Sequence, residues 1–248
     1  MPFKYSTLAL LFATLVVVSA CACVTTDEAN KNILRPSIVS IVDDICNARG
    51  TGFIAEINGD RYIVSAKHIF LARIDPGPSI EEAILFLLTG EKPEEKTGDI
   101  RILDIDGNEH IIHIISYSDE LDVYNNPECD WIILSCPPEM NYLPALTLST
   151  ELPLYGENVY WAGYPDTNSG TIVTECSIGD VISDGSQVRL DSPTGPGASG
   201  SPLVDPDKGV VGIVTQRTSG NGYGIALNIP FVYDYMMKEL NADLSASF

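Results

Sequence analysis

Three side chains able to act together on a carbonyl group are spread along this chain. His68 lies in Tyr62-Ile-Val-Ser-Ala-Lys-His-Ile-Phe70, Asp130 heads Asp130-Trp-Ile-Ile-Leu134, and Ser199 sits in Gly195-Pro-Gly-Ala-Ser-Gly-Ser-Pro-Leu203. A serine hydroxyl is a weak nucleophile near neutral pH and needs a base to take its proton as it attacks. A neutral histidine can do that and later protonate the leaving group. A carboxylate on the other ring nitrogen fixes the tautomer and stabilises the imidazolium that forms. Gly197 supplies backbone freedom two residues before the serine, so that the N–H groups of Gly197 and Ser199 can converge on one spot as an oxyanion hole. The chemistry of such a set is acyl transfer, and it calls for no cofactor and no metal.

Each residue alone has a plainer explanation: a packed histidine, a turn aspartate, a glycine-serine loop. It is their joint occurrence, in the order His, Asp, Ser, that points to a site. Asp122 competes for the middle role, but the apolar run Trp-Ile-Ile-Leu directly after Asp130 marks a buried strand and favours Asp130. Other arrangements fail. Gly200-Ser201 after the serine rules out the Gly-x-Ser-x-Gly elbow of α/β-hydrolases. His110 and His113, three apart in an expected strand, fall on opposite faces and do not make a metal pair. Asp104-Ile-Asp106-Gly107-Asn-Glu109 lacks the full acidic frame of a calcium loop and reads as a hairpin turn.

The elements that must position these residues are short β-branched runs cut by turn dipeptides. Asn58-Gly59 joins Phe53–Ile57 to Tyr62–Ser65, and Asp106-Gly107 joins Ile100–Ile105 to His110–Ser116. Asp184-Gly185 joins Gly179–Ile182 to Gln187–Leu190, and Gly220-Asn221-Gly222 joins Val210–Thr215 to Tyr223–Ile229. Such spacing predicts an all-β barrel or sandwich. Ser79–Leu88 opens with a capping pattern, Ser79 and Glu82, and predicts a short helix before the polar loop Thr89–Asp99. Phe231, Val232, Tyr235, Met236 and Leu240 recur at helical spacing, which predicts a closing helix over about 230–240. Pro137–Leu152, with its prolines, is the expected link between two β units.

Composition narrows the partners. With 14 Lys and Arg against 34 Asp and Glu, the chain carries a net charge of −20. That balance argues against nucleic acid, whose affinity for proteins comes mainly from basic residues neutralising phosphates. Met1–Ala20 reads as an export signal: Lys4, then the apolar Leu8–Val18, then Ser19-Ala20. Val18-Ser-Ala-Cys21 matches a lipobox, which would place a lipid anchor on Cys21 and a flexible tether over 21–35. No later apolar run is long enough to cross a bilayer. An exported, lipid-anchored domain in the bacterial cell envelope is therefore expected. Of the remaining cysteines, Cys46, Cys129, Cys136 and Cys176, none forms a Cys-x-x-Cys pair, and spacing does not choose among their possible disulfides.

The segments around His68, Asp130 and Ser199 resemble the chymotrypsin-like serine proteases, most closely their HtrA-type bacterial branch. The resemblance covers about residues 36–240. It includes Leu190-Asp-Ser-Pro-Thr-Gly-Pro-Gly-Ala-Ser-Gly-Ser-Pro202, Val159-Tyr-Trp-Ala-Gly-Tyr-Pro165, Gly212-Ile-Val-Thr215 and Gly224-Ile-Ala-Leu227. It implies two packed six-stranded antiparallel β-barrels, one over about 36–140 and the other over about 150–229, within a protease domain over 36–248. It also implies endopeptidase activity on polypeptides, with His68, Asp130 and Ser199 as the triad. By the same resemblance Pro193, six before the nucleophile, lies at the base of the specificity pocket, and Thr215 and Ala226 line its sides. A pocket without a carboxylate suits small or medium apolar side chains. Three departures stand out. Ala198 replaces an aspartate that in digestive relatives pairs with a freed N-terminus, Ser201 replaces a common glycine, and Lys67 directly precedes the histidine. The residues after the helix leave no room for the PDZ domain that HtrA-type enzymes append.

Overall fold

Asn58 and Gly59 both adopt positive φ, 55° and 88°, and turn the chain tightly between β2 (Ala48–Ile57) and β3 (Asp60–Ser65). This is the two-residue hairpin that the dipeptide favours, because both central residues of a type I′ turn need left-handed backbone. The computed structural model describes residues 31–45, 48–74, 99–120, 122–123, 125–165, 170–217 and 223–246. The export and lipobox segment with Cys21, Cys46, the expected helix Ser79–Leu88 and the turn Gly220-Asn221-Gly222 lie outside them.

The first β unit comprises β1 (Ile38–Asp43), β2, β3, β4 (Ile100–Leu103), β5 (Glu109–Ile112), β6 (Ile114–Tyr117), β7 (Ile132–Ser135) and β8 (Leu146–Thr147). The path through the sheet is β5-β4-β1-β2-β3-β7-β6, with β8 added in parallel beside β2. The strand expected over His110–Ser116 is divided at His113. There the segment leaves β4 and joins β7: His113 N–H donates to Ser135 Oγ (2.9 Å) and Ser135 N–H to the His113 carbonyl (2.8 Å). The two ends of the sheet are thus halves of one bent segment, and the sheet curls back on itself as a half-barrel of eight strands, the first barrel of the molecule. The turn before β5 is built differently from a simple Asp-Gly turn. Asp104, buried, accepts the N–H groups of Asp106 and Asn108, so β4 stops at Leu103.

The second unit is a closed barrel, in the order β10-β11-β14-β13-β12-β9. Its strands are β9 (Asn158–Gly163), β10 (Ile172–Ile182), β11 (Gln187–Pro193), β12 (Pro202–Asp205), β13 (Gly209–Arg217) and β14 (Tyr223–Asn228). Period-two alternation decides what each side chain packs against. Along β9, Val159 and Trp161 fill this barrel with Ile178, Val188, Leu190, Leu203 and Val214, whereas Tyr160 and Ala162 join the core shared with the first unit.

The link is not passive. Met140 and Leu143 are buried, β8 pairs with β2, and Leu148 bridges to Val210 at the edge of the second barrel. The closing helix runs from Ile229 to Ala246, longer than the sequence pattern suggested, since Asn241–Ala246 contains no glycine or proline to stop it and Leu244 still packs on the core. It returns to the first unit, against β6, burying Val232, Met236 and Leu240. Burial of each such side chain contributes about 1.5–3 kcal/mol. Tyr235 meets the buried Trp131 edge to face, with centroids 5.8 Å apart. Cys129, Cys136 and Cys176 are free thiols.

Candidate active site

Strand pairing brings His68 and Asp130 together before any side chain is considered. β3 and β7 are antiparallel neighbours, with Ser65 opposite Ile132. His68, three residues beyond Ser65, and Asp130, two before Ile132, therefore emerge at the same end of adjacent strands. His68 lies in a 3-10 turn over Lys67–Phe70, and Asp130 follows another over Pro127–Cys129. Asp130 is buried, and both its oxygens serve His68: Oδ1 accepts the backbone N–H (2.8 Å), and Oδ2 lies 2.8 Å from ring Nδ1. Asp122 takes no part, because its carboxylate accepts hydrogen bonds from Asn125.

Ser199 comes from the other barrel, on the connection from β11 to β12. His68 Nε2 lies 2.9 Å from its Oγ. With Nδ1 bound to a carboxylate and Nε2 facing a hydroxyl, the ring is arranged to accept the serine proton. Burial by itself lowers the His68 pKa, but the Asp130 charge and hydrogen bond outweigh it, and the pKa is raised overall.

The turn before the serine has a definite form. Ala198 N–H donates to the Gly195 carbonyl (3.1 Å), Pro196 occupies the second position, and Gly197 the third with φ of 87°. These are the marks of a type II turn, which needs glycine at that third position. The N–H groups of Gly197 and Ser199 have no intramolecular acceptor among the described residues. Ala198, where a salt-bridging aspartate would need a charged partner, is instead buried in the apolar core of the second barrel. Gly200 and Ser201 then tie the loop to β13: Gly200 N–H donates to the Val214 carbonyl (2.7 Å), and Val214 N–H to the Ser201 carbonyl (2.8 Å).

Beside Ser199 a cavity of about 290 Å³ is lined by Thr194, Gly195, Pro196, Ala198, Val214 and Thr215. Of the three residues expected to form the pocket, Thr215 lines it and the other two do not. Pro193 is exposed, and Ala226 is wholly buried in the core of the second barrel. Along β11 the inward alternation of Val188 and Leu190 passes to Thr194, and Pro193 falls on the other face. Thr194, buried, takes the inward place against Gly224, where a Cβ would lie 2.6 Å from its Cγ2. Among the described residues no charged side chain lines this cavity.

Lys67 has a larger structural part than its neighbourhood in sequence suggested. It is fully buried, and its ammonium donates to the carbonyls of Ser118 (2.9 Å) and Glu120. Burial lowers its pKa, opposed by the nearby Cys129, Asp130, Glu120 and Asp119. It pins the segment leading to Asp130. His110 and His113 are not brought together: His110 Nε2 is 3.2 Å from Asp104, while His113 is exposed at the bend. Among the described residues no group of His, Cys, Asp and Glu could hold a metal ion.

Residues 50–213 match the family described as the trypsin-like peptidase domain. The chain belongs to that family. Solved structures with the same fold include the serine endoprotease from Yersinia pestis, with 18% identity, a TM-score of 0.60, and coverage of 85% of this chain and 65% of that one. Rv3671c from M. tuberculosis H37Rv is similar at 18% identity and a TM-score of 0.59, covering 84% of this chain and 88% of that one. The HtrA-type protease AlgW, solved with a tripeptide, has 19% identity and a TM-score of 0.61, covering 84% of this chain and 62% of that one. This trypsin-like peptidase domain thus spans just under two thirds of the Yersinia and AlgW chains. No curated protein sequence matches it.

Sequence reasoning missed Thr194 and the structural part played by Lys67. A signal for the first was present: the alternation Val188, Leu190, Ser192, Thr194 puts Thr194 on the inner face of β11 and Pro193 on the other. Lys67 sits beside the base in plain view, but its burial depends on a loop fifty residues away.

Proposed function

We propose that this chain is a serine endopeptidase that cleaves polypeptides through an acyl-enzyme on Ser199, with a preference for small or medium uncharged side chains. The observation that carries the reading is the continuous Asp130–His68–Ser199 line, 2.8 and 2.9 Å in its two steps, beside a glycine turn with two free N–H groups. His68 Nε2 takes the Ser199 proton as Oγ bonds to the substrate carbonyl carbon. The resulting oxyanion is held by the N–H groups of Gly197 and Ser199. Collapse of this adduct breaks the C–N bond, and the departing amine receives the proton from His68. Water, deprotonated by His68, then attacks the ester, and Ser199 regains its proton as the new carboxylate leaves. The cavity lined by Thr194 and Thr215, with no charged side chain among the described residues, supports the side-chain preference. Lys4, the apolar Leu8–Val18 and Cys21 support export to the bacterial envelope with a lipid on Cys21, so the substrates would be envelope or secreted polypeptides.

The test is intact mass after treating the full chain with a fluorophosphonate at pH 8, beside the Ser199→Ala and His68→Ala variants. One adduct on the parent and none on either variant is expected. A folded parent that takes up no reagent would refute the reading.

A further inference from the structure

All the polar atoms of one buried residue on the first barrel are directed at the nucleophile loop or its surroundings. Thr51, on β2, is wholly inaccessible to solvent. Its N–H donates to the Ser199 carbonyl (2.8 Å), and its hydroxyl donates to the Gly197 carbonyl (2.7 Å). The same hydroxyl accepts the Tyr164 N–H (3.0 Å), and the Thr51 carbonyl accepts the Ser65 hydroxyl (2.7 Å). Its neighbourhood has no spare room. A Cβ on Gly163 would lie 2.9 Å from the Thr51 hydroxyl, and one on Gly200 only 1.9 Å from its carbonyl.

We propose that Thr51 is a positioning residue for the oxyanion site, its hydroxyl holding the Gly197 carbonyl so that the N–H groups of Gly197 and Ser199 stay aimed at one point. The proposal rests on the serine-peptidase reading. His68 and Asp130 belong to the first barrel, whereas the oxyanion donors belong to the second. Hydrogen bonds to two carbonyls, two residues apart, fix the 197–199 segment against the first barrel as one piece. The N–H groups are thereby left free of the seam. Glycine at 197 has the widest backbone freedom of any residue, so the carbonyl clamp supplies the restraint that the side chain cannot. Losing the hydroxyl leaves the backbone bond from Thr51 N–H in place but frees Gly197, and a donor displaced by about 1 Å costs on the order of 100-fold in rate.

The experiment compares the parent chain with Thr51→Val, which is nearly isosteric but lacks the donor, and Thr51→Ser, which keeps it. Thr51→Ala carries the same comparison should the extra methyl of valine crowd the seam. The readout is the second-order rate constant of fluorophosphonate labelling from pH 5 to 9, together with Tm. The expected result is a loss of about 30–100-fold for the Val or Ala variant. The pH midpoint should stay unchanged, since His68 and Asp130 are untouched, and Thr51→Ser should stay within about threefold of the parent. A variant without the hydroxyl that labels within threefold of a reactive parent would overturn the role of Thr51 alone. So would a shifted pH midpoint, or a serine variant as impaired as the valine one. An unreactive parent would overturn the serine-peptidase reading, and this inference with it.

Discussion

Replacing Asp130 by Asn changes one atom and removes the charge, and the geometry says which atom goes where. The Oδ1 position receives the His68 backbone N–H, which can only donate, so the amide oxygen must remain there. The NH₂ group is then left facing Nδ1. Being a donor, it forces Nδ1 to be the unprotonated nitrogen, and the ring proton moves to Nε2. That nitrogen lies 2.9 Å from Ser199 Oγ and now points a hydrogen at the hydroxyl whose proton it should take. Recovering the working tautomer sets donor against donor at one buried position: Nδ1–H against the amide NH₂ or, with the amide flipped, the His68 backbone N–H against it. That mismatch, at about 1–3 kcal/mol, together with the loss of the carboxylate charge that stabilises the imidazolium, comes to a loss of on the order of 10³–10⁴-fold in kcat/KM. The assay is peptide hydrolysis or fluorophosphonate labelling from pH 5 to 9, with Asp122→Asn as a control that should behave as the parent. The pH dependence has a definite sign. Asp130 is what raises the His68 pKa against the effect of burial, so residual activity in the variant should persist to lower pH than in the parent. A loss below tenfold in a folded variant, or an equal loss in Asp122→Asn, would refute the tautomer argument.

Three other expectations concern the frame around the site. Gly200→Ala puts a methyl 1.9 Å from the Thr51 carbonyl at a φ of 85°, and should cost at least about 3 kcal/mol in chemical denaturation and abolish labelling. Arg73→Met leaves the buried Asp43 carboxylate without the guanidinium that now meets both its oxygens at 2.9 Å, and should lower stability by about 3–5 kcal/mol. The Cys176 thiol, pushed up to about 12 by burial in the second barrel, should ignore a disulfide-exchange reagent at pH 8 until the protein is unfolded. Prompt reaction in the native state would count against the closed barrel.

Much of this was legible in the chain because local chemistry decided it. Asn58-Gly59 has few conformations open to it, and Pro196-Gly197 encodes a type II turn wherever it falls. The alternation Val159-Tyr-Trp-Ala162 separates two cores by itself. What escaped was decided by distant partners. Thr194 keeps the inward alternation of Val188 and Leu190, but that this face meets a cavity rather than core is decided by where β13 and the nucleophile loop pass. The bend at His113 follows from a change of neighbour between β4 and β7, which no run of isoleucines announces. Nothing near Thr51 in the chain signals its contacts, since the partners of its hydroxyl lie more than a hundred residues further on.

The return of the closing helix to the first barrel has a consequence in time. A ribosome makes His68, Asp130 and finally Ser199 well before it makes Ile229–Ala246, which covers β6 and meets Trp131, the residue next to Asp130. Until that segment emerges, the apolar ground behind Asp130 lies open to water. Contacts between residues so far apart in sequence also form late in folding. A nascent chain therefore carries all three reactive side chains without the support that holds them in line. Delayed assembly of this kind would keep a peptidase quiet while its own unfolded segments are still within reach.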